Sequence, residues 1–261
     1  MNRNAIQKIA QTPEERVLLA KIWDKINIGM QKNIPCHTGF LSLREQEMAQ
    51  FLFGHQEGLF FFGGYTDAER KQLIFLPEYL DKSFLYDETS PIQCFRAKFF
   101  TGESPSHRDF LGALMGAGIT RETVGDILVS AGSCDFFTTS EIASYVLQNF
   151  TKAGRTHITL EQISLSQVSV PEAEIKEIKD TVSSTRLDCI AAAGFRMSRS
   201  AAVQIIHSGR TAVNGIPCDK PDKIIEQGNK ITVRGQGKIS LHKIGNETKK
   251  GRISVLIHRY I

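Results

Sequence analysis

The sequence has few cysteines, and none of them lies in a pattern that would build a covalent or metal-bound framework. The five are Cys36, Cys94, Cys134, Cys189 and Cys218, which are widely spaced, odd in number and never form a CxxC pair. This spacing predicts neither a disulfide scaffold nor a zinc site and is typical of free thiols in a reducing cytoplasm. No two histidines are four residues apart, so no metal site is predicted.

Long hydrophobic runs are also missing. No stretch approaches the roughly 18 uninterrupted apolar residues that a membrane-spanning helix needs, and residues 1–6 lack the apolar core of a signal peptide. Apolar residues make up 41% of the chain and charged residues 23%, which excludes disorder as the main state. We therefore expect a cytoplasmic protein that does not contact membranes.

The common catalytic motifs are absent as well. The chain contains no phosphate-binding P-loop, no GxSxG and no HExxH. Gly112, Gly116 and Gly118 fall at the end of a predicted helix, where they indicate close packing and not a cofactor loop. We predict no catalytic residue and no cofactor. Two alternatives remain open, namely an RNA-modifying enzyme with its site in the middle of the chain and a protein-binding adaptor.

The charge of the chain is unevenly distributed. The formal net charge is only +4, but residues 1–168 carry 16 basic and 19 acidic side chains, a net of −3. Residues 169–261 carry 16 basic and 9 acidic side chains, a net of +7. A basic terminal third on a near-neutral body indicates a polyanionic partner.

The order of helix and strand signals predicts an α+β protein of three parts. Residues 1–75 form a mostly helical N-terminal domain, with capping signals at Thr12, Ser42 and Thr66. Residues 76–168 follow the order β-α-β-β-α-β, with a helix capped by Ser106, and are predicted to form a ferredoxin-like, RNA-recognition-like domain. Residues 169–261 are predicted to form a small α/β domain with a basic extension.

Candidate RNA-binding residues cluster in the last part. Arg196, Ser198, Arg199 and Ser200 surround the predicted start of a helix, where unpaired N–H groups and the helix dipole already favour a phosphate. Guanidinium groups add bidentate phosphate contacts. The full predicted set is Arg186, Arg196, Ser198, Arg199, Ser200, Gln204, His207, Arg210, Lys220, Arg234, Lys238, Lys249, Lys250 and Arg252.

The middle domain offers a second candidate RNA surface. Alternation along the strand from Ile92 puts Arg96, Lys98 and Phe100 on one face. An open sheet face with cations and aromatic rings stacks RNA bases in RNA-recognition domains. The alternative is that the phenylalanines are core and that Arg96 and Lys98 face water. The pattern favours this alternative because the usual aromatic motif is absent.

The terminal third resembles the S-four RNA-binding domain, a module named after a small-subunit ribosomal protein. The resemblance rests on motifs in the family's order and spacing: Arg186-Leu187-Asp188, Ser198-Arg199-Ser200-Ala201-Ala202, Ile206-x-x-Gly209, Val213-Asn214-Gly215 and Gly228-Asn229-Lys230-Ile231-Thr232-Val233-Arg234-Gly235. Asn229 stands where the family usually has Asp. The resemblance implies two helices on a small hairpin sheet that dock on structured RNA.

Pseudouridine synthases also contain an Arg-Leu-Asp triplet, in which the Asp is catalytic. Here the triplet precedes an alanine-rich helix, and no catalytic-domain sequence follows it. We therefore predict a capping or surface-pairing role for Asp188.

The rest of the chain is similar to the YlmH-type proteins. Their pattern is carried by Phe62-Gly63-Gly64-Tyr65, Ala68-Glu69-Arg70-Lys71, Leu76-Pro77-Glu78-Tyr79, Arg108-Asp109-Phe110-Leu111-Gly112-Ala113-Leu114-Met115, Gly118-Ile119, Arg121-Glu122, Gly125-Asp126-Ile127-Leu128-Val129 and Thr248-Lys249-Lys250-Gly251-Arg252. The resemblance implies a bacterial, monomeric, cytosolic RNA-binding protein. It also implies partners in the large ribosomal subunit, namely ribosomal RNA and tRNA, and for some relatives a role in rescuing stalled ribosomes.

Overall fold

The computed structural model describes residues 5–87, 89–171, 175–248 and 251–260. The chain divides into two compact units, residues 1–171 and 172–261, and mixes helices with antiparallel sheets, so the predicted α+β class is confirmed. Within the described residues, no helix is long and apolar enough to span a bilayer. The finer boundaries at 1–75, 76–168 and 169–261 stay a prediction.

The helices are α1 (Ile6–Ile9), α2 (Pro13–Lys32), α3 (Leu43–Phe53), α4 (His107–Gly116), α5 (Ala143–Asn149), α6 (Leu187–Phe195) and α7 (Arg199–His207). The strands are β1 (Cys36–His37), β2 (Leu59–Phe62), β3 (Gln72–Phe75), β4 (Ile92–Lys98), β5 (Val124–Ser130), β6 (Ser133–Thr139), β7 (Lys152–Ala153), β8 (Thr156–His157), β9 (Thr159–Ile163), β10 (Ile175–Val182), β11 (Thr211–Val213), β12 (Ile216–Pro217), β13 (Lys230–Val233), β14 (Gly237–Glu247) and β15 (Ile253–Tyr260). Short 3₁₀ turns lie at Lys82–Tyr86, Arg121–Thr123, Ser140–Ile142 and Leu165–Gln167.

Capping residues fix where the first helices begin. Thr12, Ser42 and Ser106 each form a capping box with the side chain three residues later, as predicted for α2, α3 and α4. The predicted helix after Thr66 is wrong. The amides that a helix would use, those of Glu69 and Arg70, instead donate to the carboxylate of Asp126, at 2.7 and 3.0 Å. This partner is distant in sequence, so the capping signal did not reveal it.

The middle of the first unit has the predicted ferredoxin-like order. Strands β5, β6, β4 and β9 lie side by side in that order and are antiparallel throughout. Helices α4 and α5 pack through Phe110, Leu114 and Val146 against one face of this sheet, which contributes Phe95 and Phe136 to the same core. The other face is where an RNA-recognition domain would stack bases.

That other face is covered by the protein itself. Phe40 and Tyr65 pack there together with Phe137 of β6, and the Tyr65 and Phe137 rings are stacked with centroids 5.4 Å apart. The segment after β9 adds Leu165 and Val168 to the same cluster. The Phe62-Gly63-Gly64-Tyr65 motif therefore serves packing, and it joins the N-terminal helices and the middle sheet into one body.

The second unit places two helices on one face of a six-stranded antiparallel sheet, ordered β10, β15, β14, β13, β11 and β12. Residues 175–182, whose pattern fits either helix or strand, form the edge strand β10. The Asn214-Gly215 pair predicts a tight hairpin turn, and the structure confirms it between β11 and β12, where both residues have the positive φ that such a turn requires. The core between helices and sheet includes Leu187, Ile190 and Ile239.

Gly194 predicts the end of the first of these helices, because glycine commonly ends helices, but this prediction is wrong. Helix α6 continues to Phe195, and Arg196 ends it in the left-handed conformation, with φ 54°. Gly194 is buried at the point where α6 crosses β14. A Cβ there would overlap Cδ1 of Ile239 and stand 3.2 Å from Cγ2 of Ile257. The glycine therefore allows close approach of helix and sheet.

Gly194→Ala should destabilise the second unit by about 1–3 kcal/mol, because the added methyl group overpacks a closed core. The matched control is Gly112→Ala in α4, where a Cβ meets no atom within 4 Å. That change should be neutral or stabilising by up to about 1 kcal/mol, because alanine favours the helix. Thermal unfolding of the two variants measures both effects, and equal stability of the two would contradict the packing role.

Candidate nucleic-acid interface

The start of α7 combines positive charge with unsatisfied backbone donors. Arg196 and Arg199 flank the short connection from α6 to α7, and both are exposed. Ser198 caps α7, its hydroxyl accepting from the amide of Ala201 at 3.1 Å and lying 3.1 Å from the hydroxyl of Ser200. The amides of Arg199 and Ser200 make no hydrogen bond within the described residues. The structure thus brings these four predicted residues together around an anion-binding helix end.

A buried carboxylate orients two of the arginines. The side chain of Asp188 is 2% exposed. It accepts from Arg186, at 3.2 and 3.3 Å, and from Nε of Arg199, at 2.9 Å. Burial alone would raise the pKa of Asp188, but the hydrogen bonds from the two guanidiniums outweigh it and hold the pKa below its ordinary value. The predicted pairing role is confirmed, whereas the predicted surface position is wrong.

A cavity of about 360 Å³ opens beside this ion pair, with Arg199 and Arg252 on its wall. Arg252 is held there by Thr181, because its guanidinium donates to the hydroxyl, at 3.0 Å, and to the backbone carbonyl of that residue. Because β10 pairs with β15, Arg252 at the start of β15 lies at the same cavity as Arg199 of α7. The predicted residues Lys249 and Lys250 lie outside the described residues.

Other predicted residues extend this surface along α7. Ser200, Gln204 and His207 are exposed and recur at helical spacing, so they share one face of the helix. Beyond its end, the amide of Arg234 donates to the carbonyl of Arg210 at 2.9 Å, which places two more exposed arginines side by side. Lys220 lies on the exposed loop between β12 and β13.

Lys238 is separated from this group by the sheet. Its neighbour Ile239 points toward the helices and packs in the core, so Lys238 projects from the opposite face. There its ammonium lies over an aromatic ring, 5.6 Å from the centroid of Tyr260. The predicted set is therefore divided between the two faces of the second unit.

The two candidate residues of the middle domain are engaged within the protein. Arg96 forms a bidentate pair with Asp135, with both N–O distances at 2.7 Å, and also donates to the carbonyl of Gln167 at 2.8 Å. Lys98 is exposed and lies 2.7 Å from the carboxylate of Glu161. The aromatic rings on this face of the sheet, Tyr65 and Phe137, are packed in a core, and Phe100 is exposed but lies beyond the end of β4. Arg96 and Lys98 therefore do not form an open stacking surface with aromatic residues of the sheet.

The sequence did not reveal the roles of Arg70 and Arg121, two half-buried arginines in the first unit. Arg70 donates to the carbonyls of Val124 and Phe40, and Arg121 donates to the carbonyls of Val124 and Gly125. Burial, and then the charge of Arg70, lower the pKa of Arg121 to about 10. These arginines therefore hold backbone segments of the first unit together.

Arg70 and Arg121 also line a cavity of about 670 Å³ in the first unit. Glu45 and Glu122 lie on the same wall. Glu45 is engaged in its capping box, where it accepts from the amide of Ser42 at 2.6 Å. Within the described residues, no group of three or more histidine, cysteine or acidic side chains is placed to hold a metal ion.

Comparison with known proteins shows similarity to a family model, to a curated relative and to a solved structure. A family model described as a putative RNA-binding domain in YlmH matches residues 94–167. The chain is 35% identical over 224 residues to the ribosome-associated protein quality control protein P2 of Bacillus subtilis (strain 168), covering 85% of this chain and 86% of that protein. The cell division protein ylmH from Streptococcus pneumoniae, a solved structure, is 20% identical with a TM-score of 0.48, covering 62% of this chain and 98% of that one.

The identity to the Bacillus protein extends over most of both chains, well beyond any single motif. The family model falls on the ferredoxin-like part, which the sequence had singled out as RNA-recognition-like. Together with the motifs that run through both units, these matches show that the chain belongs to the YlmH family.

Proposed function

We propose that this protein is a non-catalytic RNA-binding protein that docks on structured ribosomal RNA of the large subunit, with tRNA as a neighbouring ligand. In this proposal it acts as a monomer in the bacterial cytoplasm, in the rescue or quality control of stalled ribosomes. The ribosome-associated quality control relative and the RNA-binding family model support this direction.

The arrangement at the start of α7 is the observation that carries the proposal. Arg196 and Arg199 flank a helix end with unsatisfied amides, and Asp188 orients Arg199 from within the core. Phosphate groups of a folded RNA fit such a site because guanidiniums and helix N-termini both favour them. Arg186 and Arg252 add charge nearby, so one docked backbone segment would meet about four cations.

The catalytic alternative is less well supported by the first unit. Asp126 accepts from two amides and the Tyr65 hydroxyl, and Asp135 accepts from Arg96 and the amide of Ser169. Carboxylates that are engaged in this way hold the fold together. The proposal therefore assigns RNA contact to the second unit and a supporting role to the first.

The protein should sediment with purified large ribosomal subunits and more weakly with small subunits. If about four phosphate contacts form, its affinity should fall about a hundredfold between 50 and 200 mM salt, because each contact releases counterions. Sedimentation across a salt series, with and without tRNA bound to the subunits, measures both quantities. Equal binding to both subunits, or binding insensitive to salt, would contradict the proposal.

A further inference from the structure

Among the described residues of the second unit, both helices lie on one face of the sheet, and the other face carries none. Side chains of β14 and β15 alternate, with Ile239, Leu241, Val255 and Ile257 packing toward α6 and α7. The residues between them project to the other side. This helix-free face consists of Lys179 on β10, Lys230 and Thr232 on β13, Lys238, Ser240, His242 and Lys243 on β14, and Leu256, His258 and Tyr260 on β15, with Glu177 at its edge.

Two imidazole rings are stacked in the middle of this face. The centroids of His242 and His258 are 3.9 Å apart and the planes differ by 14°. A register shift between Leu241 and Lys243 bulges His242 out of the β14 ladder and brings it over His258. The side chain of His258 is 15% exposed, whereas His242 is exposed. The outer surface of the His242 ring is therefore available to a further planar ring.

A second aromatic group lies next to this pair. The Tyr260 hydroxyl lies 3.3 Å from that of Ser240, which pairs with His258 across the strands. Lys238 lies over the Tyr260 ring, 5.6 Å from its centroid. The aromatic rings of β14 and β15 thus have a lysine ammonium group beside them on the same face.

The charge of the face identifies its partner. Lys179, Lys230, Lys238 and Lys243 contribute four positive charges. Among the described residues of these strands, Glu177 adds one carboxylate to the face, 4.0 Å from the Lys179 ammonium and 3.8 Å from Nε2 of His258. A protein partner would match the rings or the charges, but unpaired RNA offers both at a short repeat, because every nucleotide carries a planar base and a phosphate.

We propose that the helix-free face binds unpaired RNA bases by stacking, with His242 as the first platform and the lysines holding the backbone. This surface is separate from the α7 surface of the proposed function and extends it, because it takes single-stranded and not folded RNA. Base stacking on aromatic side chains is largely independent of sequence, so the face should accept any short unpaired segment.

The test uses the full chain and a 12-nucleotide oligouridylate, with an abasic ribose-phosphate chain of equal length as the charge-matched control. Wild type should bind the oligouridylate about tenfold more tightly than the abasic chain, because only the former can stack. His242→Ala should abolish most of that difference, and His242→Phe should retain it. A melting temperature for each variant verifies folding, which the exposed bulge position of His242 should preserve.

Other outcomes overturn the proposal. If wild type binds both chains equally, the face attracts charge alone. If His242→Ala keeps the full preference for the oligouridylate, the stacking site lies elsewhere. If His242→Phe and His242→Ala both lose that preference, ring stacking at this position is not its cause. Failure of the proposed function would look different from failure of this inference. If the α7 surface does not bind RNA, an Arg196 variant should bind large subunits as wild type does, while the effect of His242→Ala on base preference persists.

Discussion

The Arg196→Gly variant should bind large ribosomal subunits about tenfold more weakly than wild type while melting at the same or a higher temperature. Arg196 is exposed, and its side chain has no hydrogen bond or ion pair within the described residues. Its backbone is left-handed, with φ 54° and ψ 49°. Glycine adopts that conformation without steric cost, so the substitution removes the charge and leaves the helix end intact.

Two controls separate charge from backbone. Asn33→Gly changes another left-handed helix end, that of α2, without changing charge. Arg16→Gln removes an exposed cation from the same helix without changing the α7 surface. Both variants should bind subunits as wild type does. A loss of binding in Arg16→Gln equal to that in Arg196→Gly would mean that net charge, and not this site, governs binding.

The double variant Arg196→Ala/Arg199→Ala should bind more weakly still. The slope of its affinity against salt concentration should fall by the amount that corresponds to about two phosphate contacts. Because Arg199 also pairs with Asp188, its thermal stability has to be measured beside its binding. Unchanged sedimentation of a folded double variant would refute the assignment of this surface.

Asp188→Ala should produce the largest loss of stability, about 3 kcal/mol in the free energy of unfolding. It removes a buried carboxylate that accepts hydrogen bonds from two guanidiniums. Asp188→Asn keeps the shape and one acceptor oxygen but loses the charge, so it should cost less. Denaturant unfolding of the second unit measures the two changes, and equal stability of wild type and Asp188→Ala would contradict a structural role for the ion pair.

The pH dependence of this ion pair has a defined sign. Since the folded-state pKa of Asp188 is lowered, its stabilising contribution is present above the unfolded pKa, near 3.9, and is lost as the pH falls through the folded value. Wild type should therefore lose stability in acid more steeply than Asp188→Asn. At neutral pH the contribution is fully present.

Much of the fold follows from local signals in the sequence. The capping boxes at Thr12, Ser42 and Ser106, the positions of the middle helices and strands along the chain and the Asn214-Gly215 turn depend on neighbouring residues, and all were predicted. The errors come from distant partners. Asp126 captures the amides after Thr66 from 57 residues away, a contact that no local pattern shows.

The sequence predicted which residues gather at the start of α7, but not how they lie relative to Asp188 and to the sheet. Spacing placed Arg196, Ser198 and Arg199 around a helix start, because helix ends are local features. The sequence could not show that Asp188 is buried between Arg186 and Arg199, or that Lys238 lies across the sheet from them. Those relations depend on how α6 and α7 cross the strands.

The covered face of the middle sheet has a consequence for dissecting the molecule. Phe40 and Tyr65, from the first 75 residues, share a core with Phe137. A fragment beginning at residue 76 would therefore expose that apolar surface to water and tend to aggregate. Residues 1–171 should accordingly be handled as a single cooperative block, and the place to cut the chain is the junction near residue 172, where the compact units divide.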